Sequence, residues 1–108
     1  MLEHLTTLWS VGNMSNMRAR SLLNERVIIN EDTFVEMVVW EVPNSLSGSE
    51  HLYKYRLALI VNQECVMRYD NEPGKGDHKH IGNDESEYKF TTTEKMLEGF
   101  WQDVEKLI

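Results

Sequence analysis

Apolar positions recur at two periods along this chain, two residues through the middle and 3.6 near the C-terminus. Val27-Ile28-Ile29, the polar corner Asn30-Glu31-Asp32 and the β-branched run 33–42 predict two strands joined by a tight turn. Pro43 lacks a backbone donor and ends the second strand, and the polar stretch 44–50 connects to the next hairpin. That hairpin is predicted over 51–61 and 65–70, with a turn near Asn62-Gln63. Alternation sorts its faces. Tyr53, Tyr55, Leu57 and Leu59 share one side with Cys65, Met67 and Tyr69 when apolar positions are matched, and Lys54, Arg56, Arg68 and Asp70 share the other. Pairing odd with odd positions asks for a three-residue loop, because a two-residue loop pairs odd with even.

A glycine-bearing loop through Gly74-Lys75-Gly76 follows, and Glu87-Tyr88-Lys89-Phe90 predicts a short fifth strand. Thr92 reads as an N-cap. Met96, Leu97, Phe100, Trp101, Val104, Leu107 and Ile108 then repeat at 3.6-residue spacing, an amphipathic helix from about Thr93 whose stripe covers one face of the sheet. Leu2, Leu5, Leu8 and Trp9 predict a short N-terminal helix, which Gly12, Asn13, Ser15 and Asn16 interrupt. Residues 1–16 are therefore taken as an extension and 17–108 as the domain. The expected fold is α+β, a roughly five-stranded antiparallel sheet covered on one face by the C-terminal helix.

Composition narrows the class. With 108 residues, 41% hydrophobic and 27% charged, the chain has the profile of a soluble globular domain with one core. It has no apolar run near the ~20 residues of a membrane span and no signal-peptide pattern, so no membrane partner and a cytoplasmic location are expected. The single cysteine, Cys65, sits beside Val66 and Met67 and reads as a small core residue. The net charge of −7 argues against a general nucleic-acid coat, but it is uneven: 25–50 sums to −5 and 84–108 to −4, whereas 51–83 sums to +1 with His51, His78 and His80 uncounted. An anionic ligand is expected at the middle of the chain.

The chemistry concentrates there, from Arg68-Tyr69-Asp70-Asn71 to Asp77-His78-Lys79-His80. Ordinary turn residues account for Asn71-Glu72-Pro73-Gly74, but a connection needs neither paired histidines nor flanking cations. Cleaving RNA without a metal requires a base for the 2′-hydroxyl, an acid for the leaving 5′-oxygen and cations for the charge that develops on the phosphoryl group. His78 and His80 fit the first two roles, Arg68 the third, and Tyr69 serves as proton donor or stacking platform. Lys54, Arg56, Lys79, Asp70 and Asn71 complete the candidate substrate-contacting set. A metal site built from His78 and His80 with Asp70 or Asp77 is a second reading, and a binding module without chemistry is a third. No cofactor is expected.

The elements in 35–43, Tyr53-Lys54-Tyr55-Arg56, Arg68-Tyr69-Asp70-Asn71-Glu72, His78-Lys79-His80 and Tyr88-Lys89-Phe90-Thr91, followed by the amphipathic helix, together resemble the TumE family of toxin-antitoxin proteins from about Met17 to Ile108. The resemblance implies a small prokaryotic toxin whose release arrests growth. Its partner would be a cognate antitoxin, often a helix-turn-helix DNA-binding protein. Analogy with other small sheet-and-helix toxins extends this to a ribonuclease acting on messenger RNA, with RNA or the ribosome as a further partner. The acidic balance departs from the basic surfaces of such ribonucleases, so any RNA contact must be local.

Overall fold

Strand order follows chain order. A computed structural model describes residues 18–108, in which β1 (Arg20–Asn30), β2 (Thr33–Glu41), β3 (Tyr53–Val61), β4 (Glu64–Glu72), β5 (Gly76–Ile81) and β6 (Asp84–Glu87) each pair antiparallel with the next. Helix α1 (Thr93–Leu107) follows. The fold is thus α+β, with six strands rather than the five expected. The extra strand is β5, formed by the segment read from sequence as the end of a glycine loop, and it pairs with β4 from Glu72↔Gly76 to Met67↔Ile81. Its side chains run Asp77, His78, Lys79, His80 before Ile81, so no apolar alternation marks it. Of the strand predicted over 87–90, only Glu87 pairs, as the last residue of β6. The expected N-terminal helix lies outside the described residues.

The odd positions of the central strands form the core. Val35, Met37 and Val39 of β2, Tyr55, Leu57 and Leu59 of β3, and Met67 and Tyr69 of β4 are all buried, and Met96, Phe100 and Val104 of α1 close over them at i, i+4 and i+8. Thr92 caps this helix as the sequence predicts, its Oγ1 accepting from Lys95 N–H at 3.1 Å. The stripe ends early, because Leu107 and Ile108 remain exposed.

The β3–β4 hairpin reaches its odd-with-odd register by an unexpected route. Asn62 and Gln63 have φ of 51° and 69°, so they form a two-residue turn of the mirror-image type that suits strand twist. Val61↔Glu64 and Ile60↔Cys65 accordingly pair odd with even, and the register then shifts to Leu59↔Met67. Val66 is the extra residue of a β-bulge, and it restores the match of apolar faces. The bulge also overturns the core reading of Cys65, which now lies opposite Ile60 and is exposed.

The 43–52 connection folds back on the β4–β5 turn. Gly74 N–H donates to Ser47 C=O at 2.7 Å, and Gly48 and Gly76, both at positive φ, approach so closely that a Cβ on Gly48 would lie 2.8 Å from Gly76 N. Asp77 then gathers the loop from the helix-covered side. Its carboxylate accepts from Tyr55 Oη at 2.6 Å, from Ser49 Oγ at 3.3 Å and from His51 Nε2 at 2.8 Å, while His51 stacks on Phe90 with ring centroids 3.8 Å apart. Burial, reinforced by that Asp77 bond, raises the Tyr55 phenol well above the ordinary tyrosine range. The start of β5 is therefore anchored firmly.

Candidate functional site

Parity puts the even positions of β2–β5 on the face opposite α1. Across it runs one register row of Val38, Arg56, Asp70, His78 and Glu87, and beside it a second of Glu36, Ala58, Arg68, His80 and Glu85. The shared face expected for Arg56, Arg68 and Asp70 thus exists as a set of neighbours, in which two arginines and two histidines lie among the carboxylates of Glu36, Asp70, Glu85 and Glu87. Arg68 is the direct cross-strand partner of His80, and Asp70 is the partner of both Arg56 and His78.

His78 has a defined tautomer in its neutral form. Its Nδ1 lies 3.1 Å from Gly76 C=O, and a carbonyl can only accept, so the proton sits on Nδ1 and the lone pair on Nε2. Its ring centroid is 6.4 Å from that of His80. His80 Nε2 is 3.3 Å from Glu85 Oε2 and 3.8 Å from Asp70 Oδ1. Asp70, only 8% exposed, holds Arg68 Nε at 2.9 Å as an ion pair that is off line for a hydrogen bond. The carboxylate that two guanidiniums on adjacent strands require is therefore partly supplied from within. Arg56 has a looser contact, 3.9 Å to Glu36, and both side chains remain substantially exposed. Lys54 sits in register with Trp40. Burial brings its ammonium down from the usual lysine value, against the opposing pull of Glu72 and Asp70.

Three of the sequence-derived candidates lie elsewhere. Tyr69 faces α1, where its Oη donates to Asp103 Oδ2, and Lys79 Nζ meets the same oxygen at 2.6 Å. Burial and then the Asp103 bond raise the Tyr69 phenol well above its ordinary range. Burial alone would raise the Asp103 carboxyl, but bonds from Lys79 and Tyr69 and the charges of Lys79 and Lys106 together hold it below the usual value. Asn71 is buried, accepting from Tyr55 N–H at 3.0 Å and donating to Tyr53 C=O at 2.8 Å. These three side chains are on the covered side of the sheet because they occupy odd positions, so the single-site arrangement does not include them.

The metal set does not assemble either. Asp77 is turned to the covered face by the same parity, and among the described residues no three His, Cys, Asp or Glu side chains cluster as a metal site needs. Glu85 and Glu87, which border the histidines, were missed in the sequence although Gly82-Asn83 between Ile81 and Asp84 is a two-residue hairpin signal. His51 was also unassigned. Its Nδ1 accepts from Tyr53 N–H at 3.1 Å and its Nε2 therefore donates to Asp77, so both ring nitrogens are occupied and the residue is a structural tie.

A six-stranded meander under one helix, with arginines and histidines converging on the face opposite that helix, defines, among the described residues, a small α+β protein with a polar sheet surface. A family model described as Toxin TumE matches residues 15–108. The chain belongs to this toxin family, and is the toxin component of a toxin-antitoxin system with a cognate antitoxin as its partner. No curated protein and no solved structure matches it. No helix among the described residues is long and apolar enough to cross a membrane.

Proposed function

We propose that this toxin is a metal-independent ribonuclease that cleaves messenger RNA in the cytoplasm and so arrests growth. The observation that carries the reading is the pair His78 and His80 on one exposed face of β5, 6.4 Å apart between ring centroids, with Arg68 directly across the ladder. That spacing accommodates one phosphodiester, each imidazole within the ~3 Å reach of proton transfer to a different oxygen. His78 Nε2 takes the proton of the 2′-hydroxyl as the 2′-oxygen attacks phosphorus. Arg68 and Arg56 face the charge that builds on the non-bridging oxygens. The bond from phosphorus to the 5′-oxygen breaks as His80, in its protonated form, donates its proton to that oxygen. The products are a 2′,3′-cyclic phosphate and a free 5′-hydroxyl.

Asp70 keeps Arg68 and His80 oriented, and Lys54, farther along β3 from Arg56, adds another cation. The acidic rim of Glu85 and Glu87 makes the open side over β3 and β4 the approach for a polyanion. The antitoxin's proposed identity as a helix-turn-helix protein, and any role of the ribosome, rest on family membership alone.

Inducing the wild type and a His78→Ala/His80→Ala variant in a bacterial host, with growth and transcript integrity followed together, tests the reading. Arrest with transcript cleavage, both lost in a variant that still folds, supports it. Arrest with intact transcripts sinks it, and no arrest at all favours a binding module.

A further inference from the structure

The ribonuclease reading uses only the β3–β5 part of the open face, yet an aromatic-cation pair lies farther along the same surface. The Arg26 guanidinium on β1 stacks 3.9 Å from the ring centroid of Phe34 on β2. Arg26 is exposed, and it occupies the register row that continues through Glu36 and Ala58 to Arg68 and His80. Phe34 lies one row along, opposite Ile60. We infer that Arg26 stacked on Phe34 is a nucleobase-binding subsite, which takes an unpaired base of single-stranded RNA upstream or downstream of the cleaved phosphate.

Three features of the face point this way. A guanidinium whose carbon lies over one ring leaves its outward side to a second planar π-system, and bases stack on guanidinium and aromatic planes irrespective of sequence. The distance is suitable: β2 and β5 are three strand spacings apart, about 14 Å. That covers about two to four nucleotides, counting ~3.4 Å for each when stacked and roughly twice that when stretched. Between the ends the surface is compatible with a polyanion. Ala58 contributes no charged side chain, Arg68 lies on the path and Arg56 beside it, and the one intervening carboxylate of the row, Glu36, is turned toward Arg56 at 3.9 Å. The opposite border, with Glu85 and Glu87 on β6, repels a phosphate chain, so the strand leaves the histidines toward β1.

The inference rests on the ribonuclease reading, and substrate length separates the two. Purified wild type, Arg26→Ala, Phe34→Leu and Phe34→Trp are assayed on a dinucleotide and on an unstructured RNA hexamer. Binding of an uncleavable all-deoxy hexamer is measured by fluorescence anisotropy. The ratio of kcat/KM for hexamer over dinucleotide should fall about 5- to 100-fold in Arg26→Ala and Phe34→Leu, with weaker deoxy-hexamer binding of similar size. Phe34→Trp should retain both. An unchanged ratio and unchanged binding, in variants that fold and in an enzyme whose cleavage depends on His78, overturn the subsite alone. A wild type that cleaves neither RNA overturns the ribonuclease reading and the subsite with it.

Discussion

Tyr69 and Asp103 join the sheet to its helix: the Tyr69 hydroxyl on β4 donates to the Asp103 carboxylate on α1, and Lys79 on β5 holds the same oxygen at 2.6 Å. Tyr69 neighbours Arg68 and Asp70 in the chain, yet its function is separated from theirs by the thickness of the sheet. Tyr69→Phe should therefore lower unfolding free energy by about 1.5–3 kcal/mol, the size of a hydrogen bond to a charged acceptor, when measured by urea titration. Its cleavage rate per folded molecule should match the wild type. A large fall in rate with normal stability would return Tyr69 to the reaction.

Asp103 also sets an acid limit. Its folded carboxyl is held below the ordinary value, so the folded state binds fewer protons than the unfolded state as both begin to titrate. The stabilisation is complete above about pH 4, the unfolded carboxyl value, and is lost as pH falls through the lower folded value. Melting temperature followed from pH 6 to pH 2 should decline in that acid window, and Asp103→Asn should flatten that part of the decline. An identical acid profile in the variant would contradict the assignment.

His78→Ala should lower kcat by about 10²- to 10⁴-fold with little change in stability, because among the described residues the ring's hydrogen bond is the local one to Gly76 C=O. His78→Gln, which offers a hydrogen bond but no base, should be equally slow. Stopped assays on a single-stranded RNA read both, and a fast Gln variant would exclude proton transfer at this position.

Gly48→Ala should destabilise the loop that anchors β5. The added Cβ meets backbone at 2.8 Å and must adopt φ of +94°, so a cost of about 2–4 kcal/mol is expected in chemical denaturation. Hydrogen exchange should show faster exchange of the Gly74 amide, which is bonded to Ser47 C=O, than of amides in β2 and β3.

In the core, Phe100→Ala removes a fully buried ring that meets Tyr69 edge-on, with centroids 5.5 Å apart. A loss of about 3–5 kcal/mol follows from the lost burial and the cavity left behind. A calorimetric change below about 1 kcal/mol would show that α1 does not close the core.

Where apolar residues alternate, the fold was legible. The β1–β2 turn, the β3–β4 hairpin, the helix with its Thr92 cap and the sorting of Lys54, Arg56, Arg68 and Asp70 onto one face all follow from which side chains leave water. β1 itself starts at Arg20, well before the 27–29 run read as a strand, and its first half was not legible because it is mostly exposed. β5 was not legible because its inward positions are Asp77 and Lys79, whose partners Tyr55 and Asp103 lie far away in the chain. The Cys65 reading failed for a related reason. A single inserted residue, Val66, inverts the local parity, and hydrophobicity alone does not distinguish that bulge from a longer turn.

The chemistry divides in the same way. The residue types and order of Arg68-Tyr69-Asp70-Asn71 and His78-Lys79-His80 were sufficient to suggest the family and to mark where titratable groups collect. Which of those seven side chains share a surface was decided by strand pairing, since successive residues on a strand point to opposite faces. Arg68, Asp70, His78 and His80 meet on the open side, and Tyr69, Asn71 and Lys79 are built into the covered one. Local sequence determined which polar and titratable groups are available. Only the tertiary register, with its two-residue turn and compensating bulge, decided which of them lie together on one face.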